Sequence, residues 1–287
     1  MNVPWLLRAP HVRLAPAQVF VIVAVALTGA TLGFEIVRVI PEAMIHEFLQ
    51  TPAQRLWVAG CTGMLSGCLA ALATRAETLG GASALCLLAL PAAVANTILC
   101  LLGAAALKGG FALDGVTVVV MFGAFYGVIL GGPCGIVLGF AYAWPIVTFV
   151  RARRGASLDA LDRVLSWTGG WALVMGAGAA GLGLRREQLD GALVADVALF
   201  GLGALAFLAG AVRRALRTRW LRAVRQGLVP DFDIVPREAV AWDADGALPF
   251  AGDQPETCDA LLVRVSVAHS AYRTARVRTV CARVSAS

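Results

Sequence analysis

The order of apolar and polar residues divides this chain into a long apolar part and a shorter polar one. Between residues 17 and 212, long apolar stretches alternate with short polar breaks, and the later residues read as soluble protein. The stretches are 17–38, 56–75, 83–107, 115–131, 133–150, 166–184 and 191–212. Each approaches the ~17–25 residues that an α-helix needs to cross ~30 Å of hydrocarbon. The pattern predicts an all-α polytopic membrane bundle of about seven helical segments.

The fourth and fifth stretches are nearly fused, so that six crossings are the alternative count. Gly131, Gly132 and Pro133 separate them, and a proline lacks the amide donor and crowds the preceding turn. A helix therefore kinks or ends there. One helix over 115–150 would measure about 54 Å, too long for one ordinary crossing. We therefore predict a helix break at Gly132 and Pro133, with the two stretches forming a tight hairpin.

Glycines recur at every fourth position through these two stretches. A step of four residues advances a helix by about 400°, so such residues lie close to one face. Small residues at this spacing permit close backbone approach between membrane helices. The glycines are Gly123, Gly127, Gly131, Gly135 and Gly139. They predict a helix-packing surface, within the chain or between copies of it, and a pore-lining or moving helix pair is the alternative.

The residues after the last apolar stretch are predicted to form two further parts. A basic juxtamembrane helix covers 213–229, following a bundle that covers 1–212. Its candidates for contact with anionic lipid headgroups are Arg213, Arg214, Arg217 and Trp220. In 230–287, apolar and polar residues alternate over 260–267 and 275–284, as in half-buried strands. This part is expected to be a small β-rich cytoplasmic module that contacts a partner.

Composition and charge support a membrane assignment. Of 287 residues, 59% are hydrophobic and 15% charged, whereas soluble domains carry about 25% charged residues. The net charge of +6 comes from arginines beside the apolar stretches, which is typical of cytoplasmic flanks rather than of a nucleic-acid surface. Seven crossings with an outside N-terminus, or six with an inside N-terminus, each place 13 of the flanking basic residues inside and five outside. Both predict a cytoplasmic C-terminus, in a bacterial inner membrane.

Polar residues within apolar stretches are costly, and charged ones mark functional sites by default. Glu35 and Arg38 lie three residues apart at the end of the first stretch, where a local interfacial ion pair is expected. Asp196 lies near the start of the last stretch, and we expect it at the membrane face opposite to Glu35, which argues against a carboxylate relay. Asn96 is expected to hydrogen-bond a neighbouring helix.

No motif predicts an enzyme, a metal site or a cofactor. Metal sites need three or four ligands, and the loop with Glu42, His46 and Glu47 contains the only histidine between positions 12 and 268. Five cysteines in apolar stretches are expected to behave as small hydrophobes. They are Cys61, Cys68, Cys86, Cys100 and Cys134. Two more, Cys258 and Cys281, are expected as free thiols in a reducing cytoplasm.

These features favour a structural or accessory membrane protein, with a cytoplasmic tail for partner contact and the possibility of homo-oligomers. The alternative is a small-solute transporter or channel that uses the Gly-rich 115–150 hairpin, because broken membrane helices often hold substrate sites. A solvent-filled cavity at Gly131, Asn96 or Asp196 would favour transport. A filled bundle would favour the accessory role.

Overall fold

A computed structural model shows a mostly helical chain. It describes residues 10–39, 51–107, 113–155, 157–184, 191–236, 260–270 and 273–284. The predictions for Glu42, His46, Glu47 and Cys258 lie outside these residues. The helices are α1 (Pro10–Val39), α2 (Pro52–Ala73), α3 (Leu79–Leu87), α4 (Ala89–Leu107), α5 (Leu113–Tyr126), α6 (Gly132–Gly155), α7 (Ala160–Leu184) and α8 (Gly191–Arg225). The strands are β1 (Phe232–Pro236), β2 (Ala260–Ser270) and β3 (Arg273–Val284).

Several helices of the described residues are long and apolar enough to cross a membrane. They are Leu14–Phe34, Pro52–Ala73, Leu79–Leu107, Gly132–Arg154 and Leu193–Arg225. A shorter apolar helix covers Val116–Ile129. A small soluble core could not bury all of these apolar helices, so they indicate a membrane location. The prediction of a mostly helical chain with several helices able to span a membrane is confirmed at this level.

Local side chains set where α2 begins. The Thr51 side chain accepts a hydrogen bond from the Gln54 backbone nitrogen (3.3 Å), and the Gln54 side chain accepts one from the Thr51 nitrogen (3.0 Å). This reciprocal capping box, with Pro52 at the first helical position, satisfies amide donors that a helix start leaves open. The helix therefore begins at Pro52, four residues before the predicted apolar stretch, which begins at position 56.

The fourth and fifth apolar stretches form one uninterrupted helical run. A π-helical segment, Gly127–Gly131, joins α5 to α6, and Gly132 is right-handed helical (φ −59°, ψ −60°). The predicted hairpin is therefore wrong. Pro133 cannot donate to the carbonyl four residues back and its ring crowds that carbonyl, which belongs to Ile129 in the π-helical segment. The wider coil of a π-turn lets the chain pass the proline and stay helical.

The contacts divide the chain into two compact units. One contains Gln18–Val150 and Trp167–Phe207, and the other contains Met1–Ala17, Arg151–Ser166 and Leu208–Ser287. In the first unit, the helical runs of each pair below are antiparallel, because residues near the start of one run contact residues near the end of the other. The contacts are Gln18–Thr74 and Gly33–Ala59 for α1–α2, Asn96–Thr62 and Gln54–Ala104 for α2–α4, Gly123–Ile98 and Gly139–Cys86 for α5–α6 on α3–α4, and Gly169–Phe207 and Gly176–Phe200 for α7–α8.

The remaining connection, from α6 to α7, is short. Only residues 156–159 separate the two helices, and the Trp144 and Trp167 rings meet edge to face with centroids 5.7 Å apart. In the described part of the chain, six helical runs therefore alternate in direction, counting α3–α4 and α5–α6 as one run each. The first run starts and the sixth ends on the same side of the bundle. Five of the runs contain a helix that is long and apolar enough to cross a membrane, and six crossings, with α7 as the sixth, stay a prediction.

In the second unit, α8 continues beyond its apolar part and a small sheet follows. The helix ends at Arg225, before Gly227 with φ +70°, a left-handed conformation that suits glycine. The sheet is antiparallel in the order β1-β2-β3. Phe232 of β1 pairs with Arg264 of β2, and the Phe232 ring meets the Trp220 ring of α8 edge to face at 5.4 Å.

Candidate functional site

The predicted glycine surface faces a single partner within the chain, the run α3–α4. A β-carbon at Gly127 would lie 3.1 Å from the carbonyl oxygen of Val94, and one at Gly135 would lie 2.8 Å from that of Ala89. β-Carbons at Gly131 and Gly139 would likewise lie 3.2 Å and 2.9 Å from the carbonyl oxygens of Ala93 and Cys86, and one at Gly123 would lie 3.1 Å from the Cα of Ile98. Only glycine permits backbones to approach this closely. The two arms of the glycine series therefore do not face each other, and together they follow one neighbouring run.

Two further glycine seams, that is, contacts between helices at glycine positions, were not predicted from the sequence. Between α7 and α8, β-carbons at Gly169, Gly176 and Gly203 would each lie 2.6 Å from a backbone nitrogen of the other helix. Between α1 and α2, a β-carbon at Gly29 would overlap the Ser66 side chain, and one at Gly63 would lie 3.0 Å from the Ala26 carbonyl oxygen. In α7, the sequence signal for this contact is that Gly169 and Gly176 are seven residues apart, rather than four.

Polar side chains of the bundle interior bind one another across helices. Asn96 Nδ2 of α4 donates to Thr62 Oγ1 of α2 at 3.0 Å. Ser66, one turn further along α2, shares a 2.9 Å hydrogen bond with the Tyr142 hydroxyl of α6, and both residues are buried. Gln54 Nε2 donates to the carbonyl oxygen of Ala104 at 3.0 Å. These bonds link three successive helical runs.

The charged positions predicted inside the membrane lie towards one end of the bundle. Asp196 is fully buried on α8 (0% exposed). Since α1 is the first and α8 the sixth of the alternating runs, the end of α1 that carries Glu35 lies on the same side as the start of α8. The expectation that Glu35 and Asp196 approach opposite faces is therefore wrong for this order. The ion pair predicted for the side chains of Glu35 and Arg38 lies outside the described residues.

A buried cluster of charges lies in the second unit, where α7 begins. Asp162 is 2% exposed. Its Oδ1 accepts a hydrogen bond from Arg213 Nε at 2.9 Å, and its Oδ2 lies 3.1 Å from Arg217 Nη1. Burial raises the pKa of the Asp162 carboxyl, and the Arg217 and Arg213 guanidinium groups oppose this shift. One carboxylate thus joins the first turn of α7 to two successive turns of α8.

The close approach of the two helices makes this cluster possible. A β-carbon at Gly210 would lie 2.9 Å from the Ser166 backbone nitrogen and 3.2 Å from the Asp162 carbonyl oxygen. Nearby, Arg163 Nη2 donates to Ser157 Oγ (2.6 Å) and to Asp159 Oδ1 (2.9 Å). The segment before α7 is therefore held by short, charge-assisted hydrogen bonds of the kind that order a loop.

These contacts correct the predicted lipid contacts of the basic helix. Arg213 and Arg217, predicted to contact lipid headgroups, bind Asp162 instead. Trp220 is 1% exposed and packs on Phe232, so its indole is not on the surface. Arg214 is exposed, and contact with anionic lipid stays a prediction for it. Sequence reasoning missed Asp162 because its two partners lie 51 and 55 positions away.

Metal chemistry finds no support among the described residues. In the described ranges, no group of three or more His, Cys, Asp or Glu side chains could hold a metal ion. No protein-family model, curated protein or solved structure matches this chain. The packing of the bundle and the distribution of its charges are therefore the features from which a function can be inferred.

Proposed function

We propose that this chain is a multi-pass membrane protein of structural or accessory type, whose C-terminal part contacts a protein partner. The observation that carries the proposal is backbone contact along three helix pairs of the bundle. At Gly135 and Gly176 a single added carbon would lie 2.8 Å and 2.6 Å from the backbone of the next helix. Seams of this kind fix helices against one another rather than leave space between them.

The interior polar groups support the same function. Thr62, Ser66 and Tyr142 are buried and hydrogen-bond within the bundle. In transporters, by contrast, polar groups and unwound helix ends are directed at a substrate site near the midplane. Interhelical hydrogen bonds of this type add modest stability and fix the register of helix pairs.

The orientation follows from charge. In the six-run order, 13 of the basic residues that flank the apolar stretches lie on the side where α8 ends, against five on the other side. The basic excess marks the cytoplasmic side. The proposal therefore places the C-terminal segment in the cytoplasm and the bundle in a bacterial inner membrane. Exposed Arg214, Arg219, Arg222 and Arg225 would then lie next to anionic headgroups.

The segment from 230 to the C-terminus is the proposed partner-binding module. It follows a helix whose Trp220 is anchored on Phe232, so that its position is coupled to the end of α8. The strands β2 and β3 pair along almost their whole length, from Ala260 opposite Val284 to Ser270 opposite Arg273. A small module of this kind, attached to a rigid bundle, suits contact with another protein or with a second copy of this chain.

The test is co-purification in a gentle detergent, with a photo-crosslinking residue at Thr279. The full chain is compared with a chain that ends at residue 229, and both are checked for equal thermal stability of the bundle. We expect partners that crosslink at position 279 and are absent from the shortened chain. Recovery of the same partners by both chains would contradict the partner-binding role of the C-terminal part.

A transporter is the second candidate, favoured by two features of the membrane helices. A π-helical segment lies within the run α5–α6 next to Pro133, and such segments often occur at functional sites. Asp196 is a fully buried carboxyl group on an apolar helix. Solute flux in proteoliposomes that disappears in Asp196→Asn, with the fold intact, would favour this function over the accessory one.

A further inference from the structure

The sheet that follows α8 ends in an edge strand. Its strands lie in the order β1-β2-β3, so β3 has a hydrogen-bonding neighbour on one side only among the strands that the structure describes. Along its other side, an edge strand presents backbone N–H and C=O groups that can pair with a further strand. Extended peptides bind to sheets at edges of this kind, by adding a strand.

The edge is long and regular enough for such a contact. β3 covers Arg273–Val284, and its pairing with β2 is regular except for one shift between Leu262 and Val263. At the shift, Cys281 of β3 has no residue of β2 directly opposite, whereas 273–280 pair without interruption. Eight residues of extended strand measure about 26 Å. We call this uninterrupted part of β3, residues 273–280, the docking edge.

The charge of β3 favours one class of partner. The strand contains four arginines and no acidic residue, and β2 contains one arginine and no acidic residue. Arg276 and Arg278 are two positions apart, so they lie on one face of the strand. Opposite charges on directly paired strands stabilise the pair, and like charges destabilise it. The docking edge therefore favours an acidic strand over a basic or neutral one.

The same charges disfavour a second copy of this chain at the docking edge. In an antiparallel pair of two β3 strands centred on Val277, Arg276 of each copy would lie opposite Arg278 of the other. A pair centred on Arg278 would place that residue opposite itself. Charged residues on edge strands commonly prevent such self-pairing. They do so by repelling strands of like charge, so an acidic strand is not excluded.

We propose that residues 273–280 of β3 bind an extended acidic segment of a protein partner, which adds to the sheet as a further strand. The segment carries acidic residues at alternate positions, opposite Arg276 and Arg278. Main-chain hydrogen bonds supply affinity, and the pairing of acidic residues with arginines supplies selectivity. The docking edge rests on the proposed function, since it assigns the partner contact of the C-terminal part to one strand.

The experiment measures peptide binding to the full chain in a nonionic detergent. The probe is a fluorescent synthetic peptide as long as the docking edge, in which Glu alternates with Thr and Val. Two matched peptides are the controls, one with Lys in place of each Glu and one with every backbone nitrogen methylated. Methylation removes the backbone hydrogen-bond donors and leaves the charge of the peptide unchanged. Binding is followed by fluorescence anisotropy.

We expect the acidic peptide to bind, and neither the Lys peptide nor the methylated peptide to bind measurably. Arg276→Gln and Arg278→Gln are each expected to weaken binding by up to about fivefold, through loss of a cross-strand charge pair. The matched controls are Arg222→Gln and Arg225→Gln, which remove the same charge at exposed positions of α8 in the same unit. These controls are expected to leave the affinity unchanged.

Several results would overturn the proposal. Equal binding of the methylated peptide would mean that β3 attracts polyanions without adding a strand. No binding of the acidic peptide, or equal binding of the Lys peptide, would contradict the assigned partner. A dimer of the chain that Arg276→Gln stabilises would assign the docking edge to a second copy. The three peptide results come from the wild type, so they do not depend on how a variant folds.

Failure of the docking edge is distinguishable from failure of the proposed function. Partners that crosslink at position 279 and are lost from the chain ending at residue 229, together with no binding of the acidic peptide, would contradict strand addition alone. Binding of the acidic peptide, together with recovery of the same partners by both chains, would contradict the partner-binding role of the C-terminal part and leave strand addition in place.

Discussion

Asp162 Oδ1 accepts a hydrogen bond from Arg213 Nε at 2.9 Å, which ties the first turn of α7 to the turn where the apolar part of α8 ends. Arg217, one turn further, lies 3.1 Å from the other carboxylate oxygen. The side chains of Asp162 and Arg217 are only 2% and 11% exposed. Since buried charges depend on their partners, loss of one member leaves the others uncompensated.

Asp162→Ala is therefore expected to destabilise the protein by about 3–5 kcal/mol, the usual cost of breaking a buried ion pair by removing one partner. The measurement is the free energy of unfolding in mixed detergent micelles. Arg163→Ala is the control, because the Arg163 side chain is 47% exposed and such pairs contribute about 0–1 kcal/mol. Equal losses in the two variants would show that the Asp162 cluster has no special role.

Gly176 and Gly178 provide a matched pair on one helix. A β-carbon at Gly176 would lie 2.6 Å from the Phe200 nitrogen, whereas one at Gly178 would meet nothing within 4 Å. Gly176→Ala is expected to cost about 1–3 kcal/mol by overpacking, and Gly178→Ala to be neutral or stabilising by up to about 1 kcal/mol. Thermal unfolding in detergent compares them, and the same sign and size in both variants would mean that the seam is not close-packed.

The Ser66–Tyr142 hydrogen bond joins α2 to α6 inside the bundle. A double-mutant cycle with Ser66→Ala and Tyr142→Phe measures the interaction between the two hydroxyl groups. We expect a coupling energy of about 0.6 kcal/mol, and at most about 1.7 kcal/mol, as for other hydrogen bonds between membrane helices. A coupling of zero would indicate that the two hydroxyl groups do not bond in the membrane.

The helical continuity of α5 and α6 can be measured as a distance. Phe125 and Phe140 are 60% and 72% exposed, and they lie at equal distances on either side of the Gly132–Pro133 step. Spin labels at these positions are expected about 22 Å apart along a continuous run. In a hairpin the same labels would stand opposite each other, about 10 Å apart. A short distance from double electron–electron resonance would contradict the continuous run.

The apolar pattern predicts the helices well, because the length and apolar character of a membrane helix are properties of local sequence. The glycine spacing likewise predicts a packing face at Gly127. It does not reveal that Val94 lies opposite, since a small residue carries no information about its partner. Pro133 was read as a break because a π-turn has no sequence signature.

The charged site was beyond sequence reasoning for a related reason. Arginines at the end of an apolar stretch are typical of topology signals, and that reading hid the specific pairing of Arg213 with Asp162. Trp220 in a basic helix is likewise typical of a lipid contact. Its burial depends on Phe232, which follows the helix end and was assigned to a separate part of the chain.

The account depends most on six helical runs that alternate in direction with the C-terminal part in the cytoplasm. Single cysteines at Glu77, after α2, and at Gln226, after α8, test it directly, because both positions are exposed. They are placed in a background without the seven native cysteines and treated with a membrane-impermeant maleimide. We predict that both react in inverted vesicles and neither in right-side-out vesicles. Labelling from opposite sides, as seven crossings require, would contradict the account.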